Sequence, residues 1–186
     1  ILIETHIIRE IIPWIDTNYN TKPSRGFRVI QGFSMGGYGA SLLAVKFPEL
    51  FSVCINYDGG MWNWEDMTSK SRKWQPVAPV LFDNDKIYYE SNSSPWKFAN
   101  LNKDKIKGQL QFRTLVGSLG LRLQKWRNQL TSLEIEMDYV DTECKHDLKC
   151  LHEKAGDGSF RLMGEQFAKA LTSEAKTGEE LKVEGK

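Results

Sequence analysis

The sequence predicts an α/β domain with a mostly parallel sheet flanked by helices. Three observations carry this. Four short runs, "FRVIQGF", "FSVCINY", "LQFRTLVG" and "LEIEMDYVDT", are β-branched or alternating and are bounded by turn residues. Segments with apolar residues at helical spacing alternate with them, the pattern of strand–helix–strand units. The chain has 186 residues, 40% of them hydrophobic and 26% charged, enough to bury one real core.

Taken in order, Leu2, Ile3, Ile7, Ile8, Ile11, Ile12 and Ile15 recur at helical spacing, so the chain opens in an amphipathic helix. Pro13 kinks or tightens its end. "TNYNTKPSRG" is a polar loop, and "FRVIQGF" is the first strand. "MGGYGASLLAVKFPEL" reads as a helix with Pro48 near its end. "FSVCINY" is a second strand, closed by "DGG". Residues 61–107 read as irregular, with a short helix or two. "LQFRTLVG" is a third strand, followed by the helix "LRLQKWRNQLTS" with apolar Leu121, Leu123, Trp126 and Leu130. "LEIEMDYVDT" alternates as a fourth strand, and "SFRLMGEQFAKALTSEA" is a last helix. One domain over 1–172 follows, with 61–107 as a lid or pocket insertion and 173–186 as a polar, flexible tail.

A net charge of +1 offers nothing for nucleic acid or an acidic membrane surface. No apolar run approaches the roughly 20 residues that span a bilayer. Three cysteines are too few for a disulfide framework; Cys144 and Cys150 flank a short loop and either pair or stand as separate thiols. "CKHDLKCLH" places Cys144, His146, Cys150 and His152 within nine residues. That spacing matches none of the usual zinc patterns, so no metal and no cofactor are expected.

Open α/β sheets carry their sites outside the carboxyl ends of the strands. Gly32-Phe33-Ser34-Met35-Gly36 falls at such an end, as G-x-S-x-G between a strand and a helix. A chance match of this pattern would rarely fall there. The turn strains the serine, and the glycines let strand and helix approach. Ser34 is thus the candidate nucleophile, and the Met35 amide the candidate oxyanion donor. A base is still needed. His6 lies on the first helix, away from the strand ends, and His152 is too far into the next segment. His146 follows the fourth strand closely, the place and order a base requires.

"IIREIIPWIDTNYN", "FRVIQGFSMGGYGASLLAVKFPELFSVCINYDGG" and "VDTECKHDLKCLHEKAGDGSFRLMGEQFAKAL" resemble the esterase D / feruloyl esterase-like family of α/β hydrolases. The resemblance covers most of 1–171 and is weakest over 61–107. It implies the C-terminal part of an α/β-hydrolase fold and a serine carboxylic ester hydrolase, with Ser34 matching the nucleophile and His146 the base. Feruloyl, acetyl or other small acyl esters, free or carbohydrate-linked, are the substrates it suggests.

Two departures stand out. The family's acid follows the third strand of this sequence, where "VGSLGLRL" has Gly120 and no carboxylate appears before Glu134. Asp58 in "NYDGG" sits at another strand end and could reach His146; it could equally be a turn-former before Gly59-Gly60, and Asp141 is a third choice. The family's front strands are also absent from this sequence. "FRVIQGF" would then be an exposed edge, so the chain is expected to be a fragment, to self-associate, or to pair with an N-terminal segment. Two further readings follow: a non-catalytic binding protein with a degraded triad, or an acyltransferase. The aromatics of the insertion, Trp62, Trp64, Trp74 and Trp96, either line a substrate pocket or pack the insertion. Trp62 and Trp64 are the candidate substrate contacts.

Overall fold

A computed structural model describes residues 2–70 and 76–184. Trp74 and Ile1 therefore lie outside the described residues. The opening helix runs over 2–18 as α1 (Leu2–Thr5), a π-helical stretch (His6–Ile11) and α2 (Ile12–Asn18). Pro13 stands in the first turn of α2. It has no N–H to give, and its ring crowds the carbonyl four residues back, so the wide π turn just before it has a local cause. Ile7, Ile8 and Ile12 pack on the core, whereas Trp14 and Ile15 face outward.

Four strands follow as predicted: β1 (Val29–Phe33), β2 (Val53–Tyr57), β3 (Gln111–Val116) and β4 (Met137–Asp141). They form one sheet in the order β1-β2-β3-β4, every pair parallel. Helix α3 (Met35–Lys46) connects β1 to β2, and α9 (Gly120–Ser132) connects β3 to β4. All five residues of β2 are buried. Cys54 turns to one core with Leu43, Ala44, Val116, Leu123 and Trp126. Val53, Ile55 and Tyr57 turn to the other, with Leu115 and Leu151. The two-residue repeat of a strand thus feeds two helix layers, α3 and α9 on one face, α10 (Leu148–Ala155) and α11 (Gly158–Glu184) on the other. Each fully buried Ile or Leu contributes about 1.5–3 kcal/mol.

Helix α9 buries Leu123, Trp126 and Leu130 but leaves Leu121 exposed. Leu121 lies two residues, about 200° of helix, away from Leu123 and so falls on the outer face. Residues 61–107 are more regular than the sequence suggests. Among the described residues they hold five short helices: α4 (Trp64–Thr68), α5 (Ala78–Phe82), α6 (Lys86–Asn92), α7 (Pro95–Leu101) and α8 (Lys103–Ile106). None is long enough to show helical periodicity, but three begin at side-chain caps, Asn63, Asp85 and Ser94. Helix α10 was not read from the sequence. The last helix extends through Glu184, over much of the segment whose composition suggests a flexible tail. β1 is an edge strand, with no neighbour on its outer side among the described residues.

Candidate active site

The site is assembled at the carboxyl ends of β1, β2 and β4. Ser34 sits between β1 and α3 with φ 56° and ψ −119°, a conformation non-glycine residues rarely hold. Its amide donates to the Tyr57 carbonyl at 3.0 Å, extending the sheet ladder by one bond, and the chain then turns abruptly into the helix. Gly32 is required here: a Cβ on it would lie 2.2 Å from the Gly36 carbonyl oxygen. The second glycine of the motif behaves otherwise. A Cβ on Gly36 would meet nothing within 4 Å among the described residues. The tight position is Gly37, whose Cβ would lie 2.5 Å from Asn56 Oδ1 and 3.0 Å from Gly59 Cα. The close approach of helix to strand thus rests on Gly32 and Gly37.

Ser34 holds the N-cap position of α3 but makes no cap hydrogen bond. A serine there ordinarily accepts from the backbone two or three residues on. Here the hydroxyl lies 2.8 Å from His146 Nε2 instead. The first-turn amides of α3, Met35 among them, have no acceptor inside the helix and lie at its positive end, which begins at Ser34. The Met35 side chain is 85% exposed.

His146 lies in the loop between β4 and α10. Its ring stacks on Phe33, centroids 4.7 Å apart. Nδ1 is 2.7 Å from Asp58 Oδ2. Asp58 is fully buried, whereas the His146 side chain is 36% exposed. The other Asp58 oxygen, Oδ1, accepts from the amides of Gly117 (2.9 Å) and Leu119 (3.1 Å). The loop where the family resemblance would put the acid therefore supplies two N–H donors to a carboxylate one strand away. A Cβ on Gly117 would come 2.8 Å from Asp58 Oδ2, so the cradle needs a glycine. Asp58 has φ 46°. The turn after it is fixed by Asn56, whose Oδ1 accepts from the Gly59 amide at 2.6 Å and whose Nδ2 donates to Ser41 and the Gly59 carbonyl. Asp58 thus closes a turn and faces the histidine together.

Asp141 is exposed and accepts from the Glu143 amide, within its own turn. His6 pairs with Glu10 on the first helix. His152 lies on α10 with its ring 4.6 Å from Tyr57. Cys144 and Cys150 are joined by a disulfide, which decides between the two alternatives the sequence left open. It closes the loop around His146 and leaves neither sulfur free as a thiolate ligand. Cys54 is buried, and burial pushes its thiol up to about 12.

Trp62 and Trp64 both pack against the small core of Met67, Ala78 and Tyr89, but only Trp62 also reaches the Asp58 turn. Trp62 Nε1 would lie 2.7 Å from a Cβ on Gly60, and its ring underlies the Arg122 guanidinium at 4.2 Å, so it flanks the turn carrying Asp58. Trp64 packs on Tyr89 in a small core of the insertion with Met67 and Ala78. Trp96 packs against Trp126 in the main core. Arg122 and Asn56 were not singled out from sequence; Asn56, polar inside a strand, carried the readable signal.

Residues 2–111 match the family model described as "Putative esterase". An esterase of Mycobacterium tuberculosis is 38% identical over 152 residues, covering 63% of this chain and 33% of that protein. An endo-1,4-beta-xylanase/feruloyl esterase of Xylanibacter ruminicola is 36% identical over 64 residues, 34% of this chain and 9% of that one. Among solved structures, a ferulic acid esterase superposes with TM-score 0.65 at 19% identity, over 88% of this chain and 60% of that one. A fluorophosphonate-binding serine hydrolase of Staphylococcus aureus gives 0.67 at 15% identity, over 87% and 62%. The chain thus spans about a third of the M. tuberculosis relative and about three fifths of these structures. The fold they share is the α/β-hydrolase fold.

Proposed function

The chain belongs to this esterase family, and on that premise we propose that it hydrolyses carboxylic esters through an acyl-enzyme on Ser34. The observation that carries the reading is the continuous line Asp58–His146–Ser34, with contacts of 2.7 and 2.8 Å. Asp58 holds His146 with its proton on Nδ1, leaving Nε2 free to accept. Ser34 Oγ attacks the ester carbonyl as Nε2 takes its proton. Charge gathers on the carbonyl oxygen, which the Met35 amide stabilises; one such donor contributes about 2.7–4 kcal/mol to the transition state. Nε2 then returns the proton to the departing alcohol. Water then gives a proton to the same nitrogen as its oxygen bonds the acyl carbon, and Nε2 passes that proton to Ser34 Oγ as the Oγ–acyl bond breaks and the acid leaves. Because the Ser34 hydroxyl does not cap its own helix, attack breaks no structural hydrogen bond of α3.

Small acyl and feruloyl esters are the proposed substrates. Trp62, beside the Asp58 turn, is the aromatic residue proposed to contact such an acyl group. The Asp58 contact supports the catalytic reading over the non-catalytic one, since it offers His146 the carboxylate that 118–121 lack. We further propose that a strand from a second copy or another segment covers the β1 edge, since unpaired strand edges are normally protected. The test of activity is a fluorophosphonate probe. It should label the wild-type chain and leave Ser34→Ala unlabelled, with hydrolysis of 4-nitrophenyl acetate lost in parallel. Equal labelling of both proteins would end the reading.

A further inference from the structure

We propose that Arg122 and Trp62 form a subsite for a carboxylate carried by the ester, so that the enzyme prefers acidic esters to neutral ones. The proposal rests on the esterase reading of the same site. Four observations carry it. The Arg122 guanidinium lies over Trp62, its Cζ 4.2 Å from the ring centre. A guanidinium held over an aromatic ring still has N–H donors with which to grip a planar anion. Its Nε is buried and has no hydrogen-bond acceptor among the described residues, and Arg122 forms no ion pair there. By contrast Lys125, one turn on, is paired with Asp66. Nη1 and Nη2 are not sealed off as Nε is and have no hydrogen-bond partner among the described residues, so a bound carboxylate would give them charge-assisted bonds.

The position is also right. The Ser34 carbonyl oxygen would lie 2.6 Å from a Cβ on Gly59, and Gly60 bears in the same way on Trp62 and Leu119. Contact therefore runs from Ser34 through Gly59 and Gly60 to Trp62, and from Trp62 to Arg122. Trp62 touches Tyr89 through its own carbonyl, which accepts from the tyrosine hydroxyl at 3.1 Å, so the platform under the guanidinium is anchored. The carboxylate could sit on either side of the scissile bond, and matched ester pairs separate the two. On the acyl side the pair is mono-4-nitrophenyl adipate and its methyl ester. On the alcohol side it is 4-acetoxyphenylacetate and its methyl ester.

The full chain should show a higher kcat/KM for the acid than for the methyl ester in one of the two pairs. Arg122→Met, which keeps an apolar stem over Trp62, should lower that acid-to-neutral ratio by about ten- to a hundredfold, the scale of one charged hydrogen bond. Raised sodium chloride should lower the wild-type ratio too, a measurement that needs no variant. Binding of 4-hydroxyphenylacetate and adipate, each against its methyl ester, read by tryptophan fluorescence, reports the subsite without turnover. It therefore separates failure of the subsite from failure of the esterase reading. An acid-to-neutral ratio unmoved by Arg122→Met in both pairs, or one insensitive to salt, overturns the proposal. So does equal binding of acid and methyl ester.

Discussion

Replacing Asp58 by Asn isolates the electrostatic role of the carboxylate from its place in the turn. Asn tolerates the positive φ of 46° that the turn imposes. Its amide oxygen can take over the Gly117 and Leu119 donors, at 2.9 and 3.1 Å in the wild type. Its NH₂ group must then face His146 Nδ1, 2.7 Å from the present oxygen. An NH₂ donor there demands an acceptor, so the imidazole carries its proton on Nε2 instead. That nitrogen can no longer accept from the Ser34 hydroxyl 2.8 Å away. The wrong tautomer in such a triad lowers kcat by about 10⁴. At 1.36 kcal/mol per tenfold, that is about 5.4 kcal/mol of activation free energy. Stability should fall less. Two amide bonds to a charged acceptor become bonds to a neutral one, a change of about 1–3 kcal/mol in total. The assay is kcat for 4-nitrophenyl acetate beside a thermal melt. A near-wild-type rate in a folded Asp58→Asn protein would refute the reasoning and reduce Asp58 to a turn residue. Asp141→Asn is the control, with activity kept.

Gly37→Ala and Gly32→Ala should both destabilise strongly or prevent soluble expression, because the new methyl meets Asn56 or backbone within 2.5 Å, while Gly36→Ala should be soluble with a wild-type melt. Reducing the Cys144–Cys150 disulfide, or replacing Cys150 by Ser, should lower the melting temperature and the esterase rate together, since a cross-link closing a loop this short contributes about 2 kcal/mol and this loop carries His146; thiol titration against rate measures both. Asn56→Ala removes the acceptor of the Gly59 amide and the ties to Ser41, and should cost about 1–3 kcal/mol in denaturant melts with a clear loss of kcat.

Strand positions, the sharp turn at Ser34 and the place of His146 just beyond the last strand were legible in the chain, because each depends on neighbours in sequence. Alternation and β-branching mark β1 to β4. A serine between glycines, at the junction of an apolar run and a helical one, marks the turn that strains Ser34. His146 follows from its distance beyond the last strand. The short helices of 61–107 were hidden for the converse reason: at four to seven residues, α4 to α8 are too brief to repeat their period, and capping and packing hold them in place. Leu121 is apolar like Leu123 and Trp126 yet exposed, and only the phase of α9 against the sheet tells its inner face from its outer one.

What tertiary structure alone decided is which groups meet. The sequence left Asp58 as turn-former or acid, and left Cys144 and Cys150 paired or separate. Asp58 and His146 are 88 residues apart, and the amides that hold the carboxylate come from a third strand end. No local pattern encodes that meeting. It requires β1, β2, β3 and β4 to lie in order, parallel and in register, so that their carboxyl ends share one rim and the loop after β4 can return across it to β1. Local chemistry writes the residues that can react. The register of the sheet sets the distances at which they do, because a hydrogen bond fails within about half an ångström of error and only a packed core holds a side chain that closely.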